Sequence, residues 1–249
     1  MSSPLLSRRH FLAGSAVSVA AVSTRASNDS ATAASAPSQR VVLALIGAGG
    51  RGSNHSAGMS RLPGVEFKYV CDIWKDRGDG IMKDLARVQK RAPQRISDMR
   101  VALDDREVDA VVIATPEHWH ALATVMACQA GKDVYVEKPV SHNVWEGRQI
   151  VAAARKYGRI VQTGTQSRSN PGLREAIAWL HAGNLGAIQV ARGLCYKPRQ
   201  SIGNVAVPTQ VPDHINYDLW CGPSPLKPLM RSKLHYDWHW QFITGNGDL

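Results

Sequence analysis

An α/β fold with a doubly wound parallel sheet is predicted by three observations. Apolar segments alternate with stretches of helical periodicity along residues 41–162. The first apolar segment, 41–46, contains no polar residue, which is typical of a strand buried on both faces. A glycine-rich turn follows that segment directly. Because parallel strands end at one edge of their sheet, we expect this turn to meet the polar residues that follow later strands.

Strands and helices are expected to alternate up to residue 164. The predicted strands are 41–46, 66–71, 95–97, 108–114, 134–136 and 160–162, and the predicted helices are 51–62, 76–90, 117–130 and 143–157. Asn170 and Pro171 can cap and start a further helix that runs to residue 181. An alternating strand is expected over 187–196. The stretch 201–240, rich in Pro, Trp, Tyr and His, predicts a long loop.

The turn at residues 47–52 fits the G-x-G-x-x-G pattern of dinucleotide-binding domains. Gly47 permits the tight turn, Gly49 lets the backbone approach the pyrophosphate, and Gly52 lets the following helix pack closely. Gly50 and Arg51 stand at the start of that helix, where free N–H groups and the helix dipole attract phosphate. The sequence therefore predicts that this turn binds NAD or NADP.

The second predicted strand ends at Asp72, 25 residues after Gly47. An acidic residue at this place binds the adenosine ribose hydroxyls and favours NAD, because it would repel a 2′-phosphate. Lys75 and Arg77 follow closely and leave NADP open. A helix cap or a solvated loop acid is the alternative interpretation of Asp72.

Composition excludes two other classes of protein. The formal charge of +10 comes from scattered basic residues, and no basic stripe interleaved with aromatic residues is present, so no nucleic-acid partner is expected. The four cysteines are far apart without a CxxC pair, which argues against a zinc site. Cys71 and Cys128 stand in apolar contexts and are predicted to be buried.

Residues 1–39 are predicted to be an export signal and a disordered tether. Arg8 and Arg9 precede an apolar run up to Val22, as in a signal peptide. The run is shorter than the roughly 20 residues that a membrane span needs, so no stable span is expected. Phe11 and Leu12 after the arginine pair resemble the twin-arginine signal, whose machinery exports folded proteins, and an ordinary secretory signal is the alternative. We therefore expect a periplasmic or otherwise exported protein.

Three motifs, each at the end of a predicted strand, share a pattern with one family. They are the glycine turn 47–52, the run Ala-Thr-Pro-Glu-His-Trp-His at 114–120, and Glu-Lys-Pro at 137–139. Together they resemble the glucose–fructose oxidoreductase/inositol dehydrogenase/rhizopine catabolism (Gfo/Idh/MocA) family. The likeness continues through 162–166, 217–223 and 245–249. It implies a Rossmann domain over 40–164 and the start of an α+β open-sheet substrate and dimerisation domain over 165–249.

The resemblance implies that Lys138 contacts the substrate and the nicotinamide and takes part in catalysis. A lysine at a buried strand end can orient a hydroxyl or carry a proton, whereas an ion pair with Glu137 is the alternative. Pro139 matches a proline that often follows a cis bond. For His118, an ordinary packed histidine is an equally good interpretation. No metal site is expected. The remaining positions assigned to the cofactor are Thr115, Pro116, His120, Glu137 and Gln166.

Sugar recognition is expected from the second domain and the long loop. Aromatic faces and polar groups suit carbohydrate, although loop packing explains each residue equally well. The candidates are Tyr196, Lys197, His235, Tyr236, Trp238 and His239. Family members extend beyond the Gly-Asn-Gly-Asp-Leu match at 245–249, which implies that this chain is truncated before the family's remaining catalytic residues.

The implied activity is hydride transfer between NAD(P) and a sugar, cyclitol or related polyol. The full-length protein is expected to form a homo-oligomer. NAD-dependent glycoside cleavage or epimerisation through transient oxidation is an alternative, and a non-catalytic dinucleotide-binding protein is another.

Overall fold

The computed structural model describes residues 40–196, 198 and 200–247 and contains one parallel sheet. Its strands are β1 (Val41–Ile46), β2 (Val65–Cys71), β3 (Gln94–Ile96), β4 (Ala110–Ile113), β5 (Asp133–Glu137) and β6 (Val161–Gly164). Their spatial order is β3-β2-β1-β4-β5-β6. The chain therefore winds outward from β1 in one direction and from β4 in the other. This is the doubly wound sheet that the alternation predicts.

Helices cover both faces of the sheet. The helices between the strands are α1 (Gly50–Met59), α2 (Asp79–Val88), α3 (Arg100–Asp104), α4 (Glu117–Gln129) and α5 (Val144–Tyr157), and two further helices, α6 (Pro171–His181) and α7 (Tyr217–Cys221), follow β6. One apolar cluster packs Ile81 and Leu85 of α2 against β1 and β2, and another packs Ala123 and Ala127 of α4 against β4 and β5. None of these helices is long and apolar enough to cross a membrane.

The central strands are apolar throughout because helices exclude water from both of their faces. In β1, residues 42–46 are all buried, and in β2 the ring of Phe67 is fully buried. Cys71 and Cys128 are buried within the same core, as predicted, and both are free thiols. Burial on both faces thus explains a strand sequence without alternation.

Most of the predicted elements are confirmed with ends shifted by a few residues, but the strand expected over 187–196 is wrong. The described residues in that segment form no strand, and they are exposed. A strand exists only where a neighbouring strand accepts its hydrogen bonds. Alternating apolar residues alone were therefore insufficient evidence for one.

The described residues after β6 contain little regular structure. Asn170 caps α6 by accepting the N–H of Leu173, as predicted, and α6 has no buried side chain. The long loop is interrupted by α7 and by a short 3₁₀ turn, Asp237–Trp240. Ile215 and Leu234 from this loop pack with Trp74, which follows β2. The loop segment therefore lies against the carboxyl edge of the sheet.

The close packing of α1 on the glycine turn can be tested by substitution. A Cβ atom added to Gly52 would lie 2.1 Å from the carbonyl oxygen of Gly47, whereas one added to Gly58 in the same helix would meet nothing within 4 Å. We expect Gly52→Ala to lower the free energy of unfolding by about 1–3 kcal/mol, because the turn must move away from α1. Urea denaturation measures the difference.

Gly58→Ala is the matched control. It should leave the free energy of unfolding unchanged or raise it by up to about 1 kcal/mol, because alanine favours a helix. Equal stability of the two variants would contradict close packing of α1 on the turn.

Candidate active site

A cleft of about 870 Å³ opens at the carboxyl edge of the sheet. Its walls are the ends of β1, β2, β4 and β5, the segment 97–100, and parts of the segment 215–239. β1 and β4 lie side by side at the point where the winding direction reverses. Open α/β sheets bind their ligands in this crevice.

The glycine turn forms the floor of the cleft as a tight backbone loop. Gly47 has a positive φ of 94°, and a Cβ atom there would lie 2.6 Å from the backbone of Ala114. A Cβ on Gly49 would meet only the side chain of Arg77, at 3.7 Å, so the backbone of Gly49 can be approached closely. Among the described residues, no side chain caps the start of α1. The turn therefore suits an anionic group such as a pyrophosphate.

Asp72 joins the end of β2 to the glycine turn. One carboxylate oxygen accepts the N–H of Ala48 at 2.9 Å, and the other accepts the N–H of Trp74 at 2.9 Å. Burial raises the pKa of Asp72, although these two bonds and the charges of Arg77 and Arg95 oppose the rise. Asp72 lines the cleft at the predicted position, and it also holds the turn in place.

Glu137, at the end of β5, has partners in α1, in the segment after β6 and in the next residue of the chain. Its Oε1 atom lies 2.6 Å from Nε2 of His55 and 3.6 Å from Nε of Arg51, and it also accepts a hydrogen bond from the side-chain amide of Gln166. Its Oε2 atom accepts the main-chain N–H of Lys138 at 3.1 Å. Burial alone would raise the pKa of Glu137, but the His55 bond, the Lys138 N–H and the Arg51 charge outweigh it and lower the pKa. Glu137 is therefore a buried carboxylate that orients the backbone of Lys138.

Lys138 lines the cleft next to the loop that follows β4. Its bond to Pro139 is cis, as the resemblance implies. The ring nitrogens of His120 lie 2.6 Å from the carbonyl oxygen of Pro139 and 2.9 Å from that of Thr115. His120 is only 2% exposed, and burial lowers its pKa while the two carbonyl contacts act in the opposite direction. This histidine joins the Lys138 turn to the Thr115 loop.

The hydroxyl of Thr115 is buried and has no hydrogen-bond partner among the described residues. Thr115 and Pro116 line the same cleft. A buried hydroxyl without a partner is costly, and a ligand hydroxyl would relieve that cost. The approachable Gly49 backbone, the uncapped helix α1 and this hydroxyl together fit a bound dinucleotide.

Several predicted site residues lie elsewhere. Gln166 does not line the cleft, because its amide bonds Glu137 from behind and also reaches the Tyr135 hydroxyl at 3.1 Å. Gly52 lies beneath the turn and also does not line the cleft. Tyr196 is 83% exposed and away from it, since the segment 187–196 forms no strand. Lys197 and residues 1–39 lie outside the described residues.

The four remaining sugar candidates, which are His235, Tyr236, Trp238 and His239, line the cleft. His235 is at the end near Asp72, where its Nδ1 atom lies 2.8 Å from Nη1 of Arg77. His118 is a packed residue whose ring nitrogens face the carbonyl oxygens of Trp220 and Thr244, at 2.9 and 3.2 Å. No cluster of His, Cys, Asp or Glu within the described ranges could hold a metal ion.

Sequence reasoning missed His55 and Trp119. His55 follows Arg51 by one helical turn, so the two side chains share one face of α1, and that spacing was the available signal. Trp119 lines the cleft and donates its indole N–H to the carbonyl oxygen of Leu219 at 3.0 Å. No local pattern predicts that contact, since the two residues are 100 positions apart.

A glycine turn, a strand-end carboxylate and a cleft at the winding reversal are the features of a dinucleotide-binding Rossmann domain. Residues 41–165 match the family model for the Gfo/Idh/MocA oxidoreductases, described as an oxidoreductase family with an NAD-binding Rossmann fold. The chain belongs to this family, and the predicted resemblance is confirmed.

Named relatives agree with that assignment. The chain is 28% identical over 148 residues to scyllo-inositol 2-dehydrogenase (NAD⁺) of Bacillus subtilis. This match covers 59% of the chain and 42% of the relative. It is 31% identical over 126 residues to the α-N-acetylgalactosaminidase of Shewanella oneidensis. That match covers 49% of the chain and 28% of the relative. The crystal structure of myo-inositol 2-dehydrogenase from Lactobacillus plantarum superposes with a TM-score of 0.55 at 22% identity. The superposition covers 60% of the chain and 43% of that structure. The match thus spans less than half the length of each of these relatives.

The His55–Glu137 contact can be tested by substitution. We expect His55→Ala to lower the free energy of unfolding at pH 7 by about 1–3 kcal/mol, because a buried carboxylate loses a hydrogen bond. The lowered pKa of Glu137 means that its stabilising effect is present at neutral pH and is lost as the pH falls through that pKa. Without His55 the pKa rises, so stability should begin to fall at a higher pH. Urea denaturation between pH 3 and pH 7 measures both effects.

His181→Ala removes an exposed histidine from α6 and is the control, with an expected change within about 0.5 kcal/mol. If both variants showed the same stability and the same pH dependence, Glu137 would not depend on His55.

Proposed function

We propose that this protein is an NAD(P)-dependent oxidoreductase that transfers hydride between the cofactor and a carbon of a sugar, cyclitol or related polyol. The observation that carries this proposal is the position of Lys138. It lines the same cleft as the glycine turn, and Glu137 and His120 hold the backbone on either side of it. A glycine turn suited to a pyrophosphate and a lysine whose backbone is held on both sides therefore line one crevice.

The residues that would hold the cofactor are divided between the two ends of the cleft. The turn 47–51 would take the pyrophosphate, Asp72 the adenosine ribose, and Thr115 the nicotinamide ribose. When bound, the nicotinamide supplies the capacity to accept or donate hydride. Lys138 would hold the substrate hydroxyl through its Nζ atom and exchange a proton with that hydroxyl.

The substrate class is supported by the cleft and by the relatives. Trp119, Trp238 and His239 line the cleft, and aromatic faces and ring nitrogens suit the apolar faces and hydroxyls of a sugar or cyclitol. Two of the similar proteins are named as inositol dehydrogenases. Their names support a cyclitol or related polyol as the substrate.

A second candidate is glycoside cleavage or epimerisation through transient oxidation. It is favoured by the similarity to an α-N-acetylgalactosaminidase, which is 31% identical over 126 residues. In that case the cofactor returns to its starting state in every cycle. Turnover without net reduction of added NAD would distinguish this reaction from a simple dehydrogenation.

The predicted organisation of the chain belongs to the same proposal. Residues 1–39 would direct export through the twin-arginine machinery to the periplasm, residues 40–164 would bind the cofactor, and residues 165–249 would belong to the substrate domain. Export of an already folded protein suits a dinucleotide enzyme, because the cofactor is abundant in the cytoplasm. The protein would act as a homo-oligomer.

The role of Lys138 is tested with Lys138→Met in the full chain. We expect hydride transfer to a panel of sugars and cyclitols to fall by about 10²–10⁴-fold, because proton transfer at the substrate hydroxyl is lost. The dissociation constant of NAD should change by less than about threefold. Steady-state kinetics and calorimetric titration measure the two quantities.

Lys83→Met on the exposed face of α2 is the control and should retain wild-type rates. If the wild-type chain bound NAD but no sugar, cyclitol or polyol gave hydride exchange, the enzyme proposal would fail. A non-catalytic dinucleotide-binding role would then be favoured.

A further inference from the structure

One hydrogen bond joins two walls of the cleft at its Asp72 end. Arg77 belongs to the Rossmann side, where its Nη1 atom would lie 3.7 Å from a Cβ on Gly49. His235 belongs to the loop segment that forms the opposite wall, and its Nδ1 atom lies 2.8 Å from the same Nη1 atom. Both residues line the cleft. Their contact therefore spans the cleft beside the glycine turn.

Arg77 is a fixed donor in this contact. Its guanidinium lies over the ring of Trp74, with Cζ 4.8 Å from the ring centroid. Its main-chain carbonyl oxygen accepts a hydrogen bond from Arg95 at 2.5 Å. Because a guanidinium has only donors, Nδ1 of His235 must be the acceptor, and an imidazole nitrogen accepts only when it carries no proton. The contact therefore exists only while His235 is neutral.

The residue after His235 has an unfavourable backbone conformation. Tyr236 has a φ of 74°, which is the one positive value among the non-glycine residues that the structure describes. Such a conformation persists only where neighbouring contacts hold it. Two of these contacts are the bond from Arg77 to His235 and the bond that Nδ1 of His239 donates to the Tyr236 carbonyl oxygen at 2.7 Å. Loss of the Arg77 contact would therefore let this turn relax away from the Rossmann wall.

Apolar packing attaches the loop to the same wall independently of that hydrogen bond. Ile215 and Leu234 pack with Trp74. The main chains of Trp74 and Ile215 also form an isolated antiparallel bridge. Neither contact involves a group that titrates. Loss of the hydrogen bond would therefore open the turn 235–240 locally and leave the loop in place.

Protonation of His235 is the event that would break the contact. The charged and titratable groups around its ring are Arg77, Asp72, Asp237, His239 and Tyr236. Burial lowers the pKa of His235, and the charges of Arg77 and His239 act in the same direction. The carboxylates of Asp72 and Asp237 oppose that change. The neutral form therefore persists to a pH below the usual histidine pKa of about 6.5, and the contact is lost as the pH falls through the lowered value.

We propose that the Arg77–His235 hydrogen bond is an acid-sensitive latch that keeps a bound dinucleotide in the cleft and opens when His235 is protonated. The proposal rests on the proposed function, because it assumes a dinucleotide beside the glycine turn. At neutral pH the closed latch slows release of the cofactor. In acid the protonated ring has no acceptor at Nδ1 and repels the guanidinium, the turn at Tyr236 relaxes, and the cofactor leaves faster.

The test measures release of NADH from the full chain in a stopped-flow instrument, by NADH fluorescence after mixing with excess NAD⁺. Wild-type protein should release NADH about tenfold faster at pH 5.5 than at pH 7.5, as expected when a hydrogen bond to a charged group is lost. His235→Ala should release it at the fast rate at both pH values. His235→Gln should release it slowly at both, because the amide oxygen can accept from Arg77 but does not titrate.

His181→Gln, at an exposed position of α6, is the matched control and should keep the pH dependence of the wild type. Circular dichroism verifies that each variant is folded. The latch is refuted by a wild-type rate that is the same at both pH values. It is equally refuted by a pH dependence that persists in His235→Gln, because another group such as Asp72 would then be responsible. Wild-type protein that binds no NADH would overturn the proposed function instead.

Hydrogen exchange of the free protein tests the latch without a cofactor. After correction for the intrinsic effect of pH, the amides of residues 234–240 should exchange about tenfold faster at pH 5.5 than at pH 7.5 in the wild type. In His235→Gln their corrected rates should be equal at the two pH values, and the amides of α4 should show no change in either protein. Equal corrected rates for residues 234–240 in the wild type would contradict opening of the turn, whatever the cofactor does.

Discussion

The buried carboxylate of Glu137 imposes a constraint on the surrounding structure, because an ionised group away from water needs hydrogen bonds or opposite charge. α1 supplies His55 and Arg51, and the chain after β6 supplies Gln166. Gly164 completes the arrangement, since a Cβ atom there would come within 3.0 Å of the side chains of Glu137 and Gln166. The carboxylate thereby joins α1 to the strand that precedes Lys138.

The same use of polar side chains recurs around the cleft. Both carboxylate oxygens of Asp72 accept backbone N–H groups. The ring of His120 joins the Thr115 loop to the Lys138 turn. These residues shape the loops at the carboxyl edge, which lack the regular hydrogen bonding of the sheet. Thr115 and Arg77 are among the side chains that line the cleft beside these supports. Rigid support of a small number of binding groups is what catalysis by positioning requires.

The loop segment after residue 210 forms the second wall of the cleft. His118 and Trp119 of α4 reach the carbonyl oxygens of Trp220 and Leu219, and a Cβ atom on Gly222 would lie 2.2 Å from the ring of Trp119. At the other end, His235 contacts Arg77. Because this wall consists of loop residues packed on the Rossmann domain, it determines which groups line the space beside the turn.

The sequence alone determined the alternating strands and helices, the glycine turn, and the positions of Asp72 and Lys138. Each depends on residues close together in the chain, where backbone geometry and apolar periodicity decide the structure. The sequence failed at the strand over 187–196, because pairing requires a partner that alternation does not reveal. Only the tertiary structure placed Gln166 behind Glu137 and His235 on Arg77, a pair 158 residues apart. Such contacts arise from the packing of whole elements, and no local pattern of residues encodes that packing.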